Sequence, residues 1–124
     1  MASPHIKRKR ILFVEDHEDT WELVALILAG YEITCARGFD EGLRLARQLF
    51  DLYILDNWLP DGTGVELCRR IREFDPHTPI LFYSAAARAP DIEEALRAVA
   101  QAYLIKPVRF EELKRAVEKL TSSD

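Results

Sequence analysis

The sequence predicts one open α/β domain, a parallel sheet of five strands with helices on both faces, and three observations carry that prediction. Short apolar runs alternate five times with amphipathic stretches along the chain. Most of the runs are apolar throughout, as strands covered on both faces are, instead of alternating as half-exposed strands do. A chain of 124 residues holds five such units, whereas a closed (β/α)8 barrel needs about twice the length. Right-handed crossovers between parallel strands prune the remaining connections.

In order, the strands are expected at Ile11 to Val14, Tyr31 to Ala36, Leu52 to Leu55, Ile80 to Tyr83 and Tyr103 to Ile105. Between them the apolar spacing turns helical. Phe39, Leu43, Ala46 and Phe50 recur at intervals of four, three and four; Phe110, Leu113, Val117 and Leu120 at three, four and three. Ile92, Ala95, Leu96 and Val99 likewise fall on one helical face. These stripes are read as facing the core. Turn chemistry separates the elements: Pro60-Asp61-Gly62 after the third strand, Asp75-Pro76 before the fourth, Ala89-Pro90 before the fourth helix and Pro107 before the fifth. The domain is expected over residues 10–120, between a basic tail at 1–9 and a short tail at 121–124 that leaves no room for an output domain.

Composition narrows the function. With 17 Lys and Arg against 21 Asp and Glu, the formal charge is -4 and the sequence pI about 5.4. This argues against a direct nucleic-acid binder or an anionic-membrane binder, which would carry a basic stripe. The basic run Lys7 to Arg10 is read as a solvated lead-in to the first strand. Cys35 and Cys68 both lie in periodic apolar segments, as small buried thiols do in a reducing cytoplasm. No stretch has the length of a membrane span or the apolar centre of a signal peptide, so no membrane insertion is expected. A chain this long buries roughly 60–70% of its unfolded surface and needs no disulfide or structural metal.

In an open α/β sheet, ligands sit beyond the carboxyl ends of the strands. Glu15 and Asp16 follow the first run, Asp56 the third, Ser84 the fourth and Lys106 the fifth. Each alone is an ordinary cap, turn former or solvated charge. Parallel topology, however, brings these strand ends together. Two like charges ~4 Å apart repel by roughly 4 kcal/mol at an effective dielectric of 20, so three carboxylates need compensation. One ammonium leaves two negative charges uncancelled, and one divalent cation cancels them. Carboxylates, a backbone carbonyl and waters suit Mg2+, and the lack of thiolate or imidazole at these strand ends speaks against zinc. His17 follows Asp16 directly but is not taken as a ligand; His5 and His77 are read as surface residues. Lys106 and Ser84 would then face a phosphoryl group, with Asp56 as the nucleophile.

The segments Ile11-Leu12-Phe13-Val14-Glu15-Asp16, Leu55-Asp56-Asn57-Trp58-Leu59-Pro60 with Gly64 eight residues after Asp56, Tyr83-Ser84-Ala85 and Tyr103-Leu104-Ile105-Lys106-Pro107 together resemble the receiver domain of two-component response regulators. The resemblance runs from about Arg10 to Leu120. It implies a flavodoxin-like sheet of order 2-1-3-4-5 and a cis Lys106-Pro107 bond, which an X-Pro bond adopts cheaply. It also implies phosphorylation of Asp56 by a phosphohistidine on a sensor histidine kinase or phosphotransfer protein. Asp16, Asp56 and the backbone carbonyl of Trp58 would hold Mg2+, with Glu15 acting through water. Ser84 would move toward the phosphoryl group and Tyr103 would turn inward. The face made by the fourth helix, fifth strand and fifth helix would then change, for a downstream target protein or for homodimerisation. Such a domain is a signalling switch that catalyses only its own phosphorylation and dephosphorylation.

Three positions depart from the family's pattern. Trp58 stands two residues after Asp56, where an indole would shield the acyl phosphate from water and slow its loss. The segment Leu28 to Tyr31 looks shortened, so the first helix is expected to end early at Gly30. Val99 stands where a glycine is common before the fifth strand, so a different turn is expected there. Two other readings stand behind the switch. A haloacid-dehalogenase-like aspartyl phosphatase would want a second acid at position 58, where there is a tryptophan. A receiver-shaped interaction module would work without phosphorylation, and the complete acid, serine and lysine set argues against it.

Overall fold

The computed structural model describes residues 8–122; His5 and most of the expected basic tail lie outside them, as do the last two residues. Within this span the strands are β1 (Arg10–Val14), β2 (Glu32–Ala36), β3 (Leu52–Leu55), β4 (Trp58–Leu59), β5 (Gly62–Thr63), β6 (Ile80–Ser84) and β7 (Ala102–Ile105). The helices are α1 (Glu18–Ile27), α2 (Phe39–Ala46), α3 (Gly64–Arg72), α4 (Ala89–Arg97) and α5 (Phe110–Thr121). The main sheet is parallel, in the order β2-β1-β3-β6-β7. This is the expected flavodoxin-like 2-1-3-4-5 arrangement of its five strands.

Burial explains the apolar runs. In β1, Ile11 and Phe13 face a core completed by Val24 of α1, by Leu28 just after it, and by Leu113 and Val117 of α5. Leu12 and Val14, pointing the other way, join Ala46 of α2, Leu67, Cys68 and Ile71 of α3, and Ala95 of α4. Every residue from Ile11 to Val14 is fully buried, as are Leu52 to Leu55 of β3. Burying each such Leu, Ile or Phe side chain contributes about 1.5–3 kcal/mol. The edge strands β2 and β7 are only partly buried.

Two structural details position the site. β4 and β5 form an antiparallel hairpin, Trp58 opposite Thr63 and Leu59 opposite Gly62, which the sequence reading took for a turn because two-residue strands carry no periodicity. The hairpin presents Asp61, whose Oδ1 and Oδ2 accept from the N–H groups of Phe39 (2.6 Å) and Asp40 (3.0 Å). A carboxylate distant in sequence thus caps α2, whose own N-cap is Gly38 with no side chain to do so. Thr63 caps α3 in the ordinary way, its Oγ1 accepting from the Glu66 N–H at 3.1 Å.

Several expected core positions differ. α1 ends at Ile27 with Leu28 as C-cap, its N–H bonded to the Val24 carbonyl, so the helix stops before Gly30. Phe50 is buried, yet in the loop beyond α2. Leu96 (49% exposed), Val99 (54%) and Phe110 (56%) face outward, because helical spacing identifies a face without saying what covers it. Val99 takes a left-handed φ of 68°. The reason is a Schellman ending to α4: the Val99 N–H bonds the Leu96 carbonyl and the Ala100 N–H the Ala95 carbonyl. A β-branched residue pays roughly 1–2 kcal/mol in this conformation. The Lys106-Pro107 bond is cis, as expected.

Candidate functional site

The carboxyl ends of β1, β3, β6 and β7 deliver their polar residues to one place. β1 runs directly into Glu15, whose side chain is fully buried, and β3 into Asp56, 5% exposed. Main-chain ladders continue past the strands and fix both: the Glu15 N–H bonds the Ala36 carbonyl and the Asp56 N–H the Val14 carbonyl. Lys106 extends from the end of β7, its own N–H held by the Ser84 carbonyl.

Lys106 Nζ donates to Glu15 Oε1 and lies 3.4 Å from Asp56 Oδ2, so one ammonium serves two buried carboxylates. Burial pulls its pKa down, but the Glu15 hydrogen bond and the Asp56 charge outweigh that, and the net shift is upward. Lys106 therefore stays charged at neutral pH. Ser84 is fully buried and donates from Oγ to Asp56 Oδ1 at 2.6 Å. The same Oγ accepts from the N–H groups of Asn57 (3.3 Å) and Ala86 (3.2 Å), which orient its proton toward Asp56. The Trp58 N–H also reaches Asp56 Oδ1, at 3.3 Å, while its indole is 59% exposed.

Tyr103 stands one layer back. Its ring stacks on Phe82 with centroids 5.4 Å apart, and its hydroxyl donates to the Ala86 carbonyl. Burial raises its pKa, so it stays a donor. Tyr103 and Ser84 thus meet at opposite sides of the same residue, Ala86.

Asp16 is differently placed. Its Oδ1 is buried and accepts no hydrogen bond, although His17 Nδ1 lies only 3.1 Å away. The same Nδ1 lies 3.0 Å from Glu15 Oε2, which also accepts the His17 N–H at 3.2 Å. The Glu15 hydrogen bond and then the Asp16 charge hold the imidazole above its usual pKa. Glu15, Asp16 and His17 each bring one ligand atom to within 4.8 Å of the others. Sequence reasoning set His17 aside, since the direction of a side chain at a helix N-cap is not written in the residue types around it.

Three further residues shape the site. Trp21, on the first turns of α1, donates from its indole Nε1 to the Glu15 carbonyl at 2.6 Å, and the Arg37 guanidinium covers its ring at 4.7 Å. Asn57, 5% exposed, accepts the Val65 N–H on its Oδ1 at 3.1 Å and the Gly64 N–H on its carbonyl at 2.9 Å, tying α3 to the loop after Asp56. A Cβ on Gly64 would fall 2.3 Å from the Asp56 carbonyl oxygen, so only glycine allows this close passage beside the acidic residue.

Comparison with known proteins agrees with this geometry. The response regulator receiver domain family matches residues 11–118. The transcriptional regulatory protein YrkP of Bacillus subtilis, itself uncharacterized, is 41% identical over 106 residues, which are 84% of this chain and 46% of that protein. The chain spans about half the length of the first curated relatives it matches. Among solved structures, a CheY-like receiver domain from Methanospirillum hungatei superimposes with a TM-score of 0.87 at 30% identity, covering 91% of this chain and 93% of that one. The receiver domain of the sensor histidine kinase PA1611 from Pseudomonas aeruginosa, which has a magnesium ion coordinated in its active-site cleft, gives 0.85 at 29% identity over 94% of this chain and 99% of that one. By sheet order, strand-end chemistry and family match together, the chain belongs to the response regulator receiver domains of two-component signalling.

Proposed function

We propose that the protein is a phosphoacceptor switch in which Asp56 takes a phosphoryl group from a phosphohistidine donor at a Mg2+-bearing site. The observation that carries this is the shared engagement of Asp56 by Ser84 Oγ and Lys106 Nζ, one on each carboxylate oxygen. The residues fit the cation. Asp16 Oδ1 is a buried acceptor without a donor, and the neighbouring groups of Asp56 and Glu15 are hard oxygen ligands of the kind Mg2+ prefers. Asp16, Asp56 and the Trp58 carbonyl would hold it, with Glu15 behind through water. When bound, Mg2+ supplies positive charge against the carboxylates and the equatorial phosphoryl oxygens.

In the transfer, an Asp56 carboxylate oxygen attacks phosphorus in line as the bond from phosphorus to the donor imidazole breaks, and the imidazole leaves as a neutral ring on taking up a proton. Lys106 stabilises the charge on the phosphoryl oxygens, having one carboxylate fewer to neutralise once Asp56 is esterified. Ser84 loses the anionic acceptor it now holds and turns its proton to a phosphoryl oxygen. Since Ser84 Oγ accepts from the Ala86 N–H and Tyr103 bonds the Ala86 carbonyl, movement of one is felt by the other.

The proposal assigns the α4-β7-α5 face to a downstream target, with homodimerisation through it as a further use; the outward Leu96 and Ile105 (39% exposed) give it apolar contacts. A sensor histidine kinase or phosphotransfer protein is the donor, and a cytoplasmic setting follows from that partnership; no helix among the described residues is long and apolar enough to cross a membrane. Trp58 lines a shallow cleft of about 110 Å3 with Asn57, Asp91 and Glu94. Slow self-dephosphorylation through this side chain is part of the same proposal. Intact mass after incubation with acetyl phosphate tests it. A phosphoryl adduct is expected with Mg2+, not without it, and not in Asp56→Asn. An adduct that persists in Asp56→Asn, or none in the wild type, overturns the reading and leaves an interaction module that works unphosphorylated.

A further inference from the structure

We infer that His17 is a further protein ligand of the cation site, beside Asp16, Asp56 and the Trp58 carbonyl, so that this receiver binds imidazole-accepting divalent ions such as Co2+ and Ni2+ more tightly than its oxygen ligands alone would allow. The inference rests on the acidic cleft being the cation site. The geometry of His17 points to ligation. Nδ1 is 3.0 Å from Glu15 Oε2 and 3.1 Å from Asp16 Oδ1. In an octahedral shell with metal-to-ligand distances of about 2.1 Å, adjacent ligand atoms stand about 3.0 Å apart, and in a tetrahedral shell about 3.4 Å. The 3.1 Å between Nδ1 and Asp16 Oδ1 is that of neighbouring octahedral vertices, while Glu15 Oε2, at 3.0 Å, is a hydrogen-bond partner of the ring.

The second observation is at Asp16. Its Oδ1 has a ring nitrogen 3.1 Å away and yet no hydrogen bond. The two atoms are close without a proton aligned between them, an arrangement that suits two ligands of one ion. The hydrogen bond from Nδ1 to Glu15 Oε2 is the competitor, and an entering cation takes the place of that proton, which passes to solvent. Among the described residues nothing else claims the ring. His17 is the N-cap of α1 without a side-chain capping bond, and its side chain is 72% exposed, open to an ion arriving from solvent. Mixed nitrogen and carboxylate donors favour the later first-row ions, while Mg2+ gains little from an imidazole.

The test is calorimetric titration of the full chain with Mg2+ and with Co2+, together with proton NMR of the Co2+ form. His17→Gln is expected to weaken Co2+ binding by at least about tenfold without weakening Mg2+ binding. The wild-type Co2+ form should show strongly shifted imidazole resonances that vanish in His17→Gln, which also separates them from any signal of His5 or His77. His17→Asn, whose amide can cap α1, should reproduce the loss if ligation and not the helix start is responsible. Unchanged Co2+ affinity in both variants, or no shifted imidazole signal, overturns this inference while Mg2+ binding keeps the site reading. Failure of both ions to bind overturns both readings.

Discussion

The two ends of the parallel sheet are both rich in polar side chains, and they use them in opposite ways. At the amino ends of β6 and β7, the Arg72 guanidinium donates to the carbonyls of Val99, Asp75 and Thr78 and to Gln101 Oε1, at 2.7–3.1 Å. Gln101 Oε1 also takes the Ile80 N–H at 2.7 Å. The buried Tyr53 hydroxyl bridges the Ala46 carbonyl and Asp75 Oδ2. At the carboxyl ends, one lysine is divided between two buried carboxylates and a third carboxylate has a buried oxygen with no donor. A saturated network fixes geometry; an unsaturated one keeps capacity for something to bind. The difference in satisfaction, not in polarity, distinguishes scaffold from site.

The largest expected effect removes the scaffold's hub. Arg72→Ala strands four acceptors on two loops, those of Asp75 and Thr78 partly buried, and should cost about 2 kcal/mol in urea unfolding, since each partly buried acceptor left unpaired costs about 1 kcal/mol or more; a loss under 1 kcal/mol would show that this end is not held as described. A change at the opposite end should have the opposite sign. Asp16→Asn removes a charge next to Glu15 whose Oδ1 is buried without a donor, and should raise stability by about 1 kcal/mol in a metal-free buffer. Added Mg2+ should then shrink or reverse that advantage, because it stabilises the wild type by mass action. A destabilised variant without metal would refute the contrast.

The smallest effect asks whether satisfaction or mere location matters, for Asp61 is acidic, near the site and fully used. Hydrogen bonds from the N–H groups of Asp40 and Phe39 hold its carboxyl below the usual range. Its contribution is present when it is ionised in both states and disappears as pH falls through its depressed native value. Asp61→Ala should therefore cost about 1 kcal/mol at neutral pH, as caps do, and the gap between the two proteins should close below about pH 4. Thermal melts across that range check it; a gap independent of pH would assign the effect to something other than the carboxylate.

Much of this architecture is legible in the residues. Strands buried on both faces must be apolar along their length, so Ile11 to Val14 and Leu52 to Leu55 declare themselves. Parallel pairing then forces Glu15, Asp56, Ser84 and Lys106 to one edge whatever their separation in sequence. Other features depend on quantities the residue pattern does not contain. Leu96 and Phe110 keep helical spacing yet face outward, since periodicity is indifferent to whether a neighbour exists. Val99 adopts a glycine-like conformation to complete the Schellman turn, where the Arg72 guanidinium of another helix also holds its carbonyl. The β4-β5 hairpin is too short to have a period. His17 became relevant only through the rotamer of its ring.

The hook between Trp21 and the Glu15 carbonyl has a practical consequence. An indole whose N–H is fastened to the backbone of the acidic loop will change its emission when that carbonyl shifts or its field alters, and the overlying guanidinium of Arg37 makes the ring's surroundings more responsive to charge. With Trp58 replaced by phenylalanine, the remaining tryptophan emission, excited selectively over the four tyrosines, comes from Trp21 alone. The molecule thereby carries a native optical gauge of its first loop, readable in real time without a label.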